Sequence, residues 1–126
     1  MTDHPASQLI HVSSDLFFET RLSSVVQGTD WEWVTASTIL GAESLFDPQH
    51  RQIFIIELGS ENYERLVELC QGAPVRRHEL WGYAPHVHQT RIQAARDLGF
   101  NRVVSRGQIL SQLEEFIASN PPFGSG

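Results

Sequence analysis

The run Ile53-Phe54-Ile55-Ile56, followed by Glu57-Leu58-Gly59, decides how the chain folds. Four consecutive β-branched or aromatic residues leave no polar side for solvent, so a strand here is expected to be covered on both faces, as in the centre of a parallel sheet. Helices are needed to cover it, and the flanking sequence supplies them. Upstream, Ser37 or Thr38 can cap a short helix through Phe46, with Ile39, Leu40, Leu45 and Phe46 on one face, until Asp47-Pro48 breaks it. Downstream, Ser60 is expected to open a helix in which Tyr63, Leu66, Val67 and Cys70 share a face and which closes at Gly72 and Pro74.

Outward from this centre the same alternation repeats. Leu9-Ile10-His11-Val12 reads as a strand, Ser13-Ser14-Asp15 as a capping cluster, and Leu16 to Val26 as a helix that Gln27-Gly28-Thr29-Asp30 ends. Trp31-Glu32-Trp33-Val34-Thr35 alternates as a second strand with both tryptophans on one side. Glu79 to Tyr83 is a fourth strand, and Ala84-Pro85-His86-Val87-His88 a loop or first turn. The next helix turns Ile92, Ala95 and Leu98 inward and stops at Gly99. Arg102 to Ser105 is a fifth strand, and Gln108 to Ala118 a final amphipathic helix. The order βαβαβαβαβα with short connections predicts an α/β fold: a five-stranded parallel sheet of order 2-1-3-4-5, (βα)5, with helices on both faces. Residues 1–7 are expected to be a flexible lead, 8–119 a single domain and 120–126 a loose tail.

Composition narrows the chemistry. The 126 residues, 40% hydrophobic and 19% charged, fit one domain. All nine basic residues are arginines, set against fifteen acidic ones, for a net charge of -6. With no lysine there is no Schiff base and no phosphate-cradling P-loop amine. The acidic balance argues against a nucleic-acid partner, which needs a basic face. Single Cys70 excludes an internal disulfide and fits a reducing cytoplasm, and no run approaches the length of a membrane span. A cytoplasmic protein is therefore expected.

In a sheet of this order the chemistry gathers where strands end at the carboxyl edge. That rule selects Ser13, Ser14, Asp15, Glu57, Tyr83 and Arg106. His86 and His88, with His78 nearby, invite a metal reading, but two-residue spacing at a helix start splays the rings, and polar surface is the expected role. Ser13, Ser14 and Ser60 lack a nucleophile elbow, and Gly41, Gly59 and Gly72 are isolated rather than gathered in a phosphate loop. Hydroxyls at the first helix N-terminus leave a flavin phosphate conceivable, with Trp31, Trp33 or Trp81 to stack on its ring.

Over about Gln8 to Ala118 the sequence resembles a response-regulator receiver domain, the chemotaxis-type flavodoxin-like fold of two-component signalling. Leu9 to Asp15, Ile53 to Gly59 and Ala94 to Arg106 carry the likeness. The resemblance implies an acidic pair for Mg²⁺ after the first strand, a phosphoacceptor aspartate ending the third, a small hydroxyl ending the fourth and a lysine ending the fifth. Ser13 and Ser14, Glu57, Tyr83 and Arg106 stand at those places, with Asp15 one place beyond the pair and Gly107 where a proline is usual. Hydroxyls bring no charge for Mg²⁺, so binding is expected to be weak or absent. A glutamate displaces the attacking oxygen by a methylene, and tyrosine is too large for the switch hydroxyl. The implied protein is a stand-alone pseudo-receiver, non-enzymatic and without cofactor, working as a protein-interaction module.

Two details follow from this reading. Glu57 and Arg106 are expected either to form a standing ion pair in place of a phosphoryl-gated contact or to point to solvent. Trp81, Tyr83 and Val104 are expected to serve a partner or homodimer surface on the fourth helix, fifth strand and fifth helix, or else simply to fill space over the sheet. The alternatives are a genuine but unusual phosphoacceptor receiver, and a flavodoxin-like small-ligand binder or enzyme using Ser13, Ser14, Asp15 and the histidines.

Overall fold

The computed structural model describes residues 7–73 and 78–120. The elements run β1 (Ser7–Val12), α1 (Leu16–Ser23) with a 3₁₀ turn at Ser24–Val26, β2 (Glu32–Ala36), α2 (Ile39–Leu45), β3 (Arg51–Glu57), α3 (Glu64–Gln71), β4 (His78–Ala84), α4 (Gln89–Leu98), β5 (Arg102–Ser105) and α5 (Ile109–Ser119). The five strands are all parallel in the order β2-β1-β3-β4-β5, as the sequence pattern predicts.

β3 shows why the apolar run has no polar side. Phe54 and Ile56 enter one core with Ile39, Leu66 and Ile92 from α2, α3 and α4, while Ile53 and Ile55 enter the other with Phe18 and Leu22 from α1 and Leu113 and Phe116 from α5. Each of the four β3 side chains is at most 1% exposed. Burial on that scale is worth about 1.5–3 kcal/mol per side chain and fixes the register of the central strand.

Helix starts and stops follow local chemistry. Asp15 caps α1 by accepting from the Phe18 N–H at 3.1 Å, and Thr38 caps α2 by accepting from Gly41 at 3.0 Å. Gly99 ends α4 in the left-handed region at φ 115°, its N–H reaching the Ala95 and Arg96 carbonyls. Ser60 does not open α3. The Asn62 side chain accepts from Glu64 N–H at 2.9 Å instead, and the Tyr63 hydroxyl accepts from Gly59 N–H at 2.6 Å, so residues 59–63 close into a loop before the helix.

Three other expectations change. In α2 the buried residues are Ile39 and Ala42, one turn apart, which leaves Leu40 74% and Leu45 37% exposed rather than inward. Ser7 belongs to β1 and is buried rather than flexible; residues 1–6, where the rest of the expected lead falls, lie outside the described residues. Asn120 is tied in rather than loose: its carbonyl accepts from Trp31 Nε1 at 3.1 Å and its side chain from Arg51 at 3.2 Å, while 121–126 and the expected stop at Pro74 lie outside the described residues. No helix among the described residues is long and apolar enough to cross a membrane.

Candidate functional site

The sheet's hydrogen-bond ladder continues past the strand ends and sets the geometry of the carboxyl edge. Ser13 N–H reaches Ala36 carbonyl at 3.1 Å, Leu58 N–H reaches Tyr83 carbonyl at 2.9 Å, and Arg106 N–H reaches Ala84 carbonyl at 2.8 Å. Ser13, Glu57 and Arg106 thereby sit on three rigid connections. Ser13 Oγ donates to Glu57 Oε1 at 2.9 Å and accepts from Asp15 N–H at 3.0 Å. Arg106 Nη2 donates to Asp15 Oδ2, and its Nη1 lies 3.6 Å from Glu57 Oε2. Ser14 is exposed.

The ion pair at this edge therefore differs from the two-residue one expected. Arg106 lies between two carboxylates, and its hydrogen bond goes to Asp15; at 3.6 Å Glu57 contributes charge without a hydrogen bond. The reason is the cap: holding the α1 N-terminus points Asp15 across the edge, where its second oxygen meets the guanidinium. The carboxyl of Asp15 is held below its ordinary range by the Phe18 N–H first and by the Arg106 hydrogen bond second. The Asp15 hydrogen bond likewise raises Arg106. The guanidinium carbon also lies over the Phe18 ring, 4.5 Å from its centre, a cation–π contact.

Tyr83 does not face solvent. It is 1% exposed, and its hydroxyl meets His11 Nε2 at 2.8 Å beneath α1. Even spacing along β1 puts His11 on the same face as Leu9, so this histidine is fully buried, with its ring near Trp33 at 5.6 Å and Tyr83 at 5.9 Å. Its Nδ1 has no hydrogen-bond partner; Glu19 Oε1 lies 3.9 Å away, engaged by Trp33 Nε1 at 3.3 Å and by the Thr35 hydroxyl. Burial lowers the His11 pKa to about 4, against the opposing pull of Glu19 and Asp15. Burial also raises Tyr83, whose hydroxyl neighbours Ser13. His11 was missed as a site residue; its signal was one titratable side chain inside the apolar run 9–12.

Trp81 is likewise buried, so neither it nor Tyr83 can present a surface to a partner, and of the three only Val104 is partly exposed. β4 lies inside the sheet, and its α5-facing residues pack on Phe116 and Ile109. Trp31 and Trp81 both pack on Phe116, with Arg51 and Arg102 over their rings, rather than lining a cofactor slot. His86 is exposed in the β4–α4 connection and His88 half-buried. Among the described residues no three His, Cys, Asp or Glu side chains gather as a metal site requires.

The edge residues fit a magnesium ion poorly. Mg²⁺ needs carboxylates free to coordinate, whereas Asp15 is engaged by Phe18 and Arg106, Glu57 by Ser13 and Arg106, and Ser13 is neutral. An arginine at the centre of the would-be site adds a positive charge beside any cation.

The 2-1-3-4-5 parallel sheet is a flavodoxin-like arrangement, and the solved structures it resembles are CheY-like and receiver proteins. The chain is similar to a CheY-like protein, TadZ, from Pseudomonas aeruginosa PAO1, at 15% identity and TM-score 0.63 over 90% of this chain and 98% of that one. It is similar, at 9% identity and TM-score 0.65 over 93% and 94%, to the Saccharomyces cerevisiae complex of the phosphotransfer protein Ypd1 with the receiver domain of Ssk1. The Mn(2+)-bound response regulator Rcp1 matches at 10% identity and TM-score 0.65 over 89% and 92%. No protein-family model matches the sequence, and no curated protein sequence does. At these identities the likeness is one of fold: the chain has the fold of a response-regulator receiver domain.

Proposed function

We propose that the protein is a receiver-like signalling domain whose state is set by its own side chains rather than by phosphorylation, and that it acts through contacts with other proteins in the cytoplasm. The observation that carries this reading is the occupied guanidinium. In a phosphorylated site a cation would be recruited by the incoming phosphoryl group, whereas Arg106 already bonds Asp15 and faces Glu57. A guanidinium cannot be deprotonated at physiological pH, so the contact needs no input. The second support is Tyr83, a buried residue whose hydroxyl is already engaged by His11, so it is not a small hydroxyl free to move toward a phosphoryl group.

The role is non-catalytic on this reading. Glu57 is committed to Ser13 and Arg106, and weak or absent Mg²⁺ binding removes the usual neutralisation of a phosphoryl donor. A protein partner or second copy would dock on α4, β5 and α5, where β5 is an outer strand of the sheet and Val104 is partly exposed. The Ssk1 receiver, paired with Ypd1, shows that this fold supports a protein complex.

Incubation with acetyl phosphate and Mg²⁺, followed by intact-mass measurement, tests the reading. The expected result is an unchanged mass in wild type and in Glu57→Gln. A stable adduct of one phosphoryl group in wild type, absent from Glu57→Gln, would overturn it in favour of a working receiver.

A further inference from the structure

A cavity of about 430 Å³ opens beside the carboxyl edge, between α1, the β4–α4 connection and the start of α5. Its cationic or imidazole-bearing residues are Arg21, His86 and Arg106, its apolar walls come from Phe18, Pro85 and Leu110, and no acidic residue lines it. In a chain of net charge -6 this is a concentration of donors on one hollow. Asp15 and Glu57 meet Arg106 but are not among the lining residues.

The donors have capacity left. A guanidinium carries five N–H groups, and the Arg106 side chain makes one hydrogen bond, to Asp15, while Glu57 at 3.6 Å adds charge only. Among the described residues the side chains of Arg21 and His86 have no ion pair or hydrogen bond, although both line the same space. Arg106 is held by its bond to Asp15 and its cation–π contact with Phe18, so this donor is placed before anything binds. Gly107 adds room: a Cβ built there meets nothing within 4 Å.

We propose that this cavity binds a small organic phosphate, its phosphate held by Arg21, His86 and Arg106 and its body against Pro85 and Leu110. Two guanidinium forks and an imidazole approaching from three elements suit a group with three acceptor oxygens better than a planar carboxylate with two. The volume lies in the range of small-molecule sites, and a bare anion would leave the apolar walls uncovered. Binding is non-covalent and involves neither Glu57 nor transfer of the phosphoryl group. The site therefore stands independently of the interaction role above. It also gives His86, which the sequence reading left as polar surface, a role as a hydrogen-bond donor to an anion.

The test is a titration of the full chain, followed by amide and side-chain NMR shifts, with adenosine 5′-monophosphate, inorganic phosphate and adenosine as separate probes. Saturable shifts at Gly107 and His86 with the monophosphate below about 1 mM, and none with adenosine, are expected. Inorganic phosphate is expected to shift the same resonances more weakly. If it binds as tightly as the monophosphate, the organic body contributes nothing and the proposal of an organic ligand is overturned. Arg21→Glu, on an exposed helix position, and Gly107→Asp, where a side chain meets no neighbour, should each weaken monophosphate binding at least tenfold while leaving the thermal midpoint unchanged. Absence of shifts in wild type, equal shifts with adenosine, or unchanged binding in both folded variants would overturn the site.

Discussion

Acid should destabilise this domain through His11 in a pH window that the structure fixes. In the fold His11 is fully buried and its pKa falls from the ordinary 6.5 to about 4, because burial outweighs the attraction of Glu19 and Asp15. In the unfolded chain it returns to the ordinary value. Between pH 4 and 6.5 the unfolded state therefore binds the extra proton, so stability is complete above about pH 6.5 and is lost as pH falls toward 4. At roughly 1.4 kcal/mol per pH unit, the displacement from 6.5 to about 4 corresponds to about 3 kcal/mol. That is a sizeable fraction of the roughly 5–15 kcal/mol available to a domain.

Urea unfolding at pH 4.5, 5.5, 6.5 and 7.5 measures the effect, with His11→Gln as the reference. Glutamine can still meet the Tyr83 hydroxyl but does not titrate. Other histidines contribute equally to both proteins, and Asp15, held below its ordinary 3.8, loses its contribution only at lower pH. The difference between the two stability curves should grow by up to about 1.4 kcal/mol per pH unit on descending from 6.5. Parallel curves, or a His11 ring proton titrating in wild type at the ordinary histidine value, would refute the reasoning.

Two further substitutions probe the same layer. Tyr83→Phe leaves His11 Nε2 buried without its partner and should cost about 1–3 kcal/mol in urea unfolding, whereas His11→Leu combined with Tyr83→Phe should recover much of that loss, since removing both polar partners avoids the orphan. Gly82→Ala would bring a Cβ to 3.0 Å from Leu58 and 3.1 Å from Phe100 in a packed core, and should lower stability by about 1–3 kcal/mol; a thermal midpoint within a degree of wild type would count against that packing.

The architecture was legible because periodicity and punctuation agreed: β3 has two buried faces, Thr38 and Asp15 cap where the sequence placed capping clusters, and Gly99 stops α4. The α3 start was misplaced because Ser60 and Asn62 carry similar turn chemistry, and only the closure of Tyr63 onto Gly59 decides between them. Of the candidate site, the strand-end rule found Ser13, Asp15, Glu57 and Arg106 together, since a parallel sheet delivers its ends to one edge. It could not say which carboxylate the guanidinium would take, because that depends on where a cap points its second oxygen. It also misjudged Tyr83 as a surface candidate: β4 is an inner strand with a packed core on each side, so either choice of face buries the ring. His11 was hidden as one polar side chain inside a run otherwise read for its hydrophobicity.

The absence of lysine is most informative at Arg106. A lysine ammonium is a compact charge on a flexible stem, able to move toward a group that appears and away when it leaves. Arg106 makes three contacts of different kinds: a hydrogen bond to Asp15 after β1, an ion pair with Glu57 at the end of β3, and a cation–π contact with Phe18 in α1. Its own backbone N–H is fixed to Ala84 at the end of β4. One side chain thus joins the connections after β1, β3 and β5, and a planar fork satisfies all of them at once in a way a single ammonium cannot. Arg106 also lines the cavity with Arg21 and His86, so on the proposed reading an anion there would use the donors that Asp15 and Glu57 leave free and would not unfasten the edge.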